Sequence, residues 1–171
     1  MTINYNLDAM FELRKFMWDR LVNAEVFDPE DYYTDFLGET FIPILPVQQS
    51  AELNQFLSGK KHIVYDKIGM SYQENWLICC EQILFTIYST DVGEINEIRN
   101  FMTDEFRRMD DSAKDINRSG EISLNNFKFH TIFIADISPT APSEELQGFL
   151  SADVILEVTY SRITGPDGRF V

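Results

Sequence analysis

The stretch "WLICCEQILFTIYST", residues 76–90, constrains the fold more than any other part of the chain. Its side chains alternate as a strand's do, with Leu77, Cys79, Ile83, Phe85 and Ile87 on one face, interrupted only by Glu81. That face is core. The opposite face carries Trp76, Ile78, Cys80, Gln82, Leu84, Thr86 and Tyr88, too apolar for bulk water along its whole length and too polar for a second core. Fifteen residues at strand rise span about 50 Å, well beyond an ordinary strand. A second subunit or another partner covering part of that face is the economical explanation, and Trp76, Ile78, Leu84 and Tyr88 become candidate interface residues.

The strand runs with almost no loop into "DVGEINEIRNFM". Such junctions often hold phosphate, but Gly93 is the only glycine, and neither the dinucleotide nor the P-loop pattern is present. Asp91 and Glu94 would repel an anion. Their spacing is that of a capping box, followed by the stripe Ile95, Ile98, Met102, Phe106 and Met109, so the junction reads as a capped helix packed on the sheet.

A chain of 171 residues with 44% hydrophobic residues has the material for one well-filled domain. The longest apolar run is too short to span a bilayer, and "MTINYNLDAMFELRKF" lacks the basic and then apolar order of a signal peptide, so a soluble, cytoplasmically made protein is expected. The net charge of −14 argues against a surface that grips nucleic acid, because phosphate affinity comes from Lys and Arg. Cys79 and Cys80 point to opposite faces of one strand, which disfavours a disulfide between them.

Along the rest of the chain, Met10, Leu13, Met17 and Leu21 predict an amphipathic helix over 7–24. The segment 25–39 follows, with six acids and no base among Phe27, Tyr32, Tyr33 and Phe36; it is either a solvated loop or a docking segment. "FIPILPV" is extended, and its prolines confine it to a sheet edge. Ser50 is placed as the cap of a short helix closed by Gly59, and "HIVYDKIG" as a strand. "RRMDDSAKDINRSGEISLNN" reads as a polar stretch. Its Arg107, Arg108, Lys114 and Arg118, approached by Arg99, are the chain's only basic concentration. They either complement a helix C-terminus or touch a partner or passing DNA. "FKFHTIFIADI" alternates Phe127, Phe129, Phe133 and Ile137 against Lys128, His130 and Asp136. "SADVILEVTYSRI" alternates Ala152, Val154, Leu156, Val158 and Tyr160 against Asp153, Glu157, Thr159 and Ser161. A tail over 164–171 leaves Arg169 and Phe170 free to reach a neighbour.

A search for chemistry finds no nucleophile elbow, no metal-ligand spacing around His62 or His130, and no opposed carboxylate pair. No enzyme activity, cofactor or metal is expected.

The order of elements, with "HIVYDKIG", "ICCEQILFTIYSTDVGEINEIRNFMTDEFRRMD" and "FHTIFIADISPTAPSEELQGFLSADVILEVTYSR", resembles the tail terminator and tail-completion proteins of tailed bacteriophages, most closely those of contractile-tailed, T4-type phages of cyanobacteria or marine bacteria. The resemblance covers residues 60–163. With the pattern above it implies one α+β domain, a largely antiparallel four- to five-stranded sheet with helices mainly on one face, its core in 60–163. It further implies a virion protein that forms a six-membered ring at the head-proximal end of the tail tube, ends tube polymerisation and offers a docking surface to neck or sheath-terminating proteins. DNA would pass through without specific binding, and Arg107, Arg108, Lys114 and Arg118 become candidate lumen or tube contacts. Two other readings stay open: a different neck or sheath-completion connector, and an acidic DNA mimic that inhibits a nuclease.

Overall fold

A computed structural model describes residues 9–57, 59–72, 78–118 and 127–162, without the side chains of 51–55, 109, 118 and 162. Four helices and a six-stranded mixed sheet make up an α+β fold. The helices are α1 (Ala9–Asn23), α2 (Val47–Leu57), α3 (Val92–Glu105) and α4 (Met109–Arg118). The strands are β1 (Ile44–Pro46), β2 (His62–Tyr72), β3 (Ile78–Ser89), β4 (Phe127–Ile137), β5 (Ala141–Pro142) and β6 (Leu150–Arg162). The sheet order is β1-β2-β3-β6-β4, with β5 also on β6. Only β1 and β2 are parallel, and α2 is the crossover between them.

β6 thus lies inside the sheet, between β3 and β4. β6 pairs with β3 over twelve residues, from Ile78 opposite Ser161 to Ser89 opposite Leu150, and with β4 on its other side. Its alternation matches the expectation: Ala152, Val154, Leu156, Val158 and Tyr160 are all buried. On β3 the core face is Cys79, Glu81, Ile83, Phe85 and Ile87, again as expected.

These residues form one cluster with the buried sides of α1, α3 and α4. Met10, Leu13, Met17 and Leu21 are the buried stripe of α1, which also buries Phe16 and Trp18. Its Arg14 donates to the carbonyls of Ile42 and Ile44, tying the helix to the lead-in of β1. The acidic segment divides: Phe27 and Tyr32 pack edge-on against Trp18 in the core, while Tyr33 and Phe36 are exposed.

Some elements differ from the sequence reading, each for a local reason. Ser50 is inside α2, its hydroxyl donating to the Val47 carbonyl, because the helix starts directly after Pro46. Gly59 does follow the helix with φ +74. The polar stretch after α3 contains α4: α3 ends at Glu105, capped at Phe106, and Met109 opens the next helix rather than closing the stripe of the last. Ser112 marks the break, donating to both the Glu105 and Arg108 carbonyls, and Ala113 and Ile116 turn into the core. In β4, a register shift between Phe129 and Thr131 inverts the alternation and a second between Ile134 and Asp136 restores it. Phe127, Phe129 and Ile132 face the core, and Phe133, expected beside them, stands opposite Glu157 on the other face.

Candidate functional site

The non-core face of the sheet is where the structure leaves apolar surface. Cross-strand register places Ile78, Cys80, Gln82, Leu84, Thr86 and Tyr88 of β3 opposite Ser161, Thr159, Glu157, Ile155, Asp153 and Ser151 of β6. The end of this face where β2 begins and β3 finishes is covered by the chain itself. At the β1–β2 end, Leu45 and Val64 alternate with the core residues Ile44 and Ile63, so they point to the opposite face; they are buried there with α2 against both strands.

At the same end, Tyr88 stands opposite His62, two residues from Val64, and is 5% exposed, so it is covered without any partner. It stacks on His62 with ring centroids 5.1 Å apart, and its hydroxyl donates to Glu145 at 3.0 Å. Phe149 meets the other edge of His62 at 5.9 Å. Burial pushes the His62 imidazole below its ordinary pKa, against a hydrogen bond to the Lys60 carbonyl that raises it. Burial and the Glu145 carboxylate push the Tyr88 phenol up.

The middle remains bare. Leu84, Ile155 and Phe133 are half-buried, and Ile78 and Cys80 continue the strip towards the far end. Among the described residues no helix is placed over them. Polar pairs border the strip: Gln82 donates to Glu157 at 3.4 Å and Thr86 to Asp153 at 2.8 Å. Beyond Tyr65, where β1 stops, β2 is an outer strand with exposed Ile68, Met70 and Tyr72.

Of the interface residues singled out from sequence, Ile78 and Leu84 lie on this bare strip, and Tyr88 is under the chain's own 143–149 segment. Trp76, Arg169 and Phe170 lie outside the described residues. Ile155 and Phe133 were missed; the first was passed over between its core neighbours, and a bulge hid the second.

The basic candidates gather at the corner between α3 and α4. Arg107 and Arg108 are exposed in the turn, and Lys114 is exposed one helical turn into α4. Asp111 is shared by Arg108 at 4.0 Å and Lys114 at 3.6 Å. Arg118 ends α4. Arg99 is turned to the sheet side and donates to the Ser138 carbonyl and to Asn96.

Glu81 is 1% exposed in the core face of β3. Its Oε1 accepts from the Tyr160 hydroxyl at 2.6 Å, and Lys67 of β2 stands 3.7 Å from Oε2. The sequence reading looked for its counter-charge on the 99–108 helix; the base comes from the neighbouring strand instead, because Lys67 reaches in from the open end of β2. Burial and the hydrogen bond to Glu81 push the Tyr160 phenol far up.

The strand-to-helix junction behaves as a cap, with one relay. Asp91 accepts from the Gly93 N–H at 2.7 Å, and a Cβ at Gly93 would come 3.1 Å from that carboxylate. Glu94 does not reach the Asp91 N–H. The fully buried Ser89 hydroxyl accepts from Asp91 N at 3.0 Å and donates to Glu94.

Among the described residues no group of three or more His, Cys, Asp or Glu side chains is arranged to hold a metal, and no helix is long and apolar enough to cross a membrane. Fold and site together define an α+β protein with one packed sheet face and one face bare at its middle. Compared with known proteins, the chain matches no family model and no curated sequence.

Proposed function

We propose that the chain is a structural virion protein that forms a ring at the head-proximal end of a phage tail tube, ends tube polymerisation and presents a docking surface to the neck. The observation that carries this reading is the bare strip Ile78–Leu84–Ile155–Phe133 on the sheet face opposite the main core cluster. A half-apolar strip bounded by polar pairs is the make-up of a surface covered on assembly, with an apolar centre and a polar rim. It has no catalytic role in this reading and needs no cofactor. The basic corner at Arg107 and Arg108 is the candidate contact to tube, bore or neighbour. Deleting the gene from its phage should leave tails of irregular or excessive length that fail to join heads, scored by electron microscopy of lysates. Tails of normal length joined to filled heads overturn the reading.

A further inference from the structure

One apolar pair on the bare face is ringed by carboxylates. Leu84 and Ile155 stand opposite each other across the β3–β6 ladder, both half-buried. Asp66 is opposite Leu84 on the β2 side and Asp136 opposite Ile155 on the β4 side, each one strand spacing away, about 4.8 Å. Along β6, Asp153 and Glu157 lie two residues either side of Ile155 and share its face, about 6.6 Å away at strand rise. The hydrogen bonds these acids accept come from neutral groups: Thr86 donates to Asp153, Gln82 to Glu157 and the Ile137 N–H to Asp136. Among the described residues none of the four is ion-paired. Glu145, bonded to Tyr88, adds an acid at the covered end. The bases of this face, Lys128 opposite Ser161 and His130 bonded to it, lie at the far end, and Ser161 is four residues, about 13 Å, along β6 from Glu157. The apolar centre therefore has a rim of one sign, where an ordinary soluble surface mixes both.

Spacing and charge together narrow the occupant. Whatever covers the pair must bring an apolar side chain to the centre and cations to the rim, because an acid sealed under an interface without a counter-charge is costly. In an extended segment, bases two residues either side of an apolar residue stand about 6.6 Å from it, the same step that separates Asp153 and Glu157 from Ile155. A second copy of this chain does not supply that pattern. Its own bare face would set acid against acid. Of its bases, Arg20, Lys60, Lys61, Lys67, Arg108 and Lys114 are ion-paired with the chain's own acids. The sequence has one pair of bases four residues apart, Lys114 and Arg118, and both lie on α4, whose Ile116 between them is buried in the core.

We infer that Leu84, Ile155 and their carboxylate ring receive a segment of a different protein, in which one apolar side chain lies between Lys or Arg residues two positions away on either side. This rests on the docking surface of the reading above and gives that surface a basic partner in place of a neighbouring copy. NMR titration of the ¹⁵N-labelled full chain tests it with three end-capped peptides: Lys-Thr-Leu-Thr-Lys, Glu-Thr-Leu-Thr-Glu and Lys-Thr-Ser-Thr-Lys. The first should bind saturably at millimolar concentration, with shifts concentrated on the amides of Leu84, Ile155 and their strand neighbours. Its binding should weaken as salt shortens the Debye length to about 3 Å near 1 M. The acidic peptide should not bind, and the serine peptide should bind about fivefold or more weakly. Asp136→Asn with Glu157→Gln should weaken the first peptide about fivefold or more, whereas Glu30→Gln with Asp104→Asn, removing as much charge from exposed positions elsewhere, should leave it unchanged. The spectrum of each variant checks its fold, and Asp136→Asn alone serves where the double variant misfolds. No binding of the first peptide, shifts scattered over the acidic surface, equal binding of the serine peptide, or equal loss in both double variants overturns the inference. Self-association of the wild type that Leu84→Ser abolishes also overturns it, because a second copy then occupies the face. Tail length in the deletion strain is decided independently of these outcomes.

Discussion

The two faces of one strand, β3, carry nearly equal apolar content and are treated oppositely by the fold. Phe85 and Ile83 vanish into the cluster built by α1, α3 and α4; Leu84, between them in sequence, is half-buried, with Asp66 and Ile155 opposite it across the ladder. Hydrophobicity therefore does not decide which face is core. What decides it is where the helices can reach: Arg14 ties α1 to β1, Asp91 and Ser89 launch α3 back over the strand it leaves, and Asn117 fastens α4 to both backbone polar groups of Phe129, all on one side.

The largest expected effect tests the packed face. Phe85→Ala removes a fully buried ring, and large-to-small changes of this kind cost about 3–5 kcal/mol. Urea unfolding followed by tryptophan fluorescence should show the midpoint collapse, and a loss near 1 kcal/mol would mean the face is far looser than its burial indicates.

Next is the buried carboxylate. Tyr160→Phe removes the short hydrogen bond to Glu81 Oε1 and leaves it the weak Cys79 thiol at 4.0 Å, with Lys67 beside Oε2; under-satisfying a buried acceptor costs about 1–3 kcal/mol. Tyr160→Phe combined with Glu81→Leu should recover part of that loss, since the uncompensated charge goes too. A double variant no more stable than Tyr160→Phe alone would show that Glu81 contributes through packing.

Leu84→Glu should change folding stability by less than about 1 kcal/mol, because the new carboxylate can reach water from a half-buried site, yet it should abolish assembly on tails. Near-native circular dichroism with no decoration of stalled tails is the expected pair of results. An unfolded variant places Leu84 in a core, and a variant that assembles normally removes the strip from the interface.

These contrasts follow how much of the molecule its sequence discloses. Period-two alternation identified both faces of β3 and the core side of β6, because long paired strands bury one face residue by residue. It failed in β4, where a bulge at His130 inserts one residue and inverts the alternation as far as the second register shift after Ile134, sending Phe133 to the bare strip. Nothing in "FKFHTIFIADI" announces a bulge. α4 was hidden for another reason: among its described side chains Ser112, Ala113 and Ile116 are the buried ones, too few and too polar to register as a stripe. The half-bare face was legible only as an excess of apolar residues. That Tyr88 is sheltered by Glu145 and Phe149, while Leu84 is not, depends on a connection sixty residues away returning over one end of the sheet.

The smallest effect probes that covered end, and its sign follows from burial. His62 has a folded-state pKa depressed below the ordinary imidazole value, by desolvation between Tyr88 and Phe149. Above about pH 6.5 the ring is neutral in both folded and unfolded chains, and its contribution is constant. Below that the unfolded chain takes up a proton that the folded one resists, so stability falls as pH drops towards the folded-state pKa. His130 is depressed as well, by burial and then by Lys128, but it is only half-buried beside Ser161. With two histidines in the chain, the assignment is a matter of two variants. Urea midpoints measured between pH 7.5 and about 5 should slope downward in the wild type and in His130→Gln, and should flatten in His62→Gln. A slope as steep in His62→Gln as in the wild type would mean that His62 is not shielded from water, and the covered and bare ends of this face would then differ in degree alone.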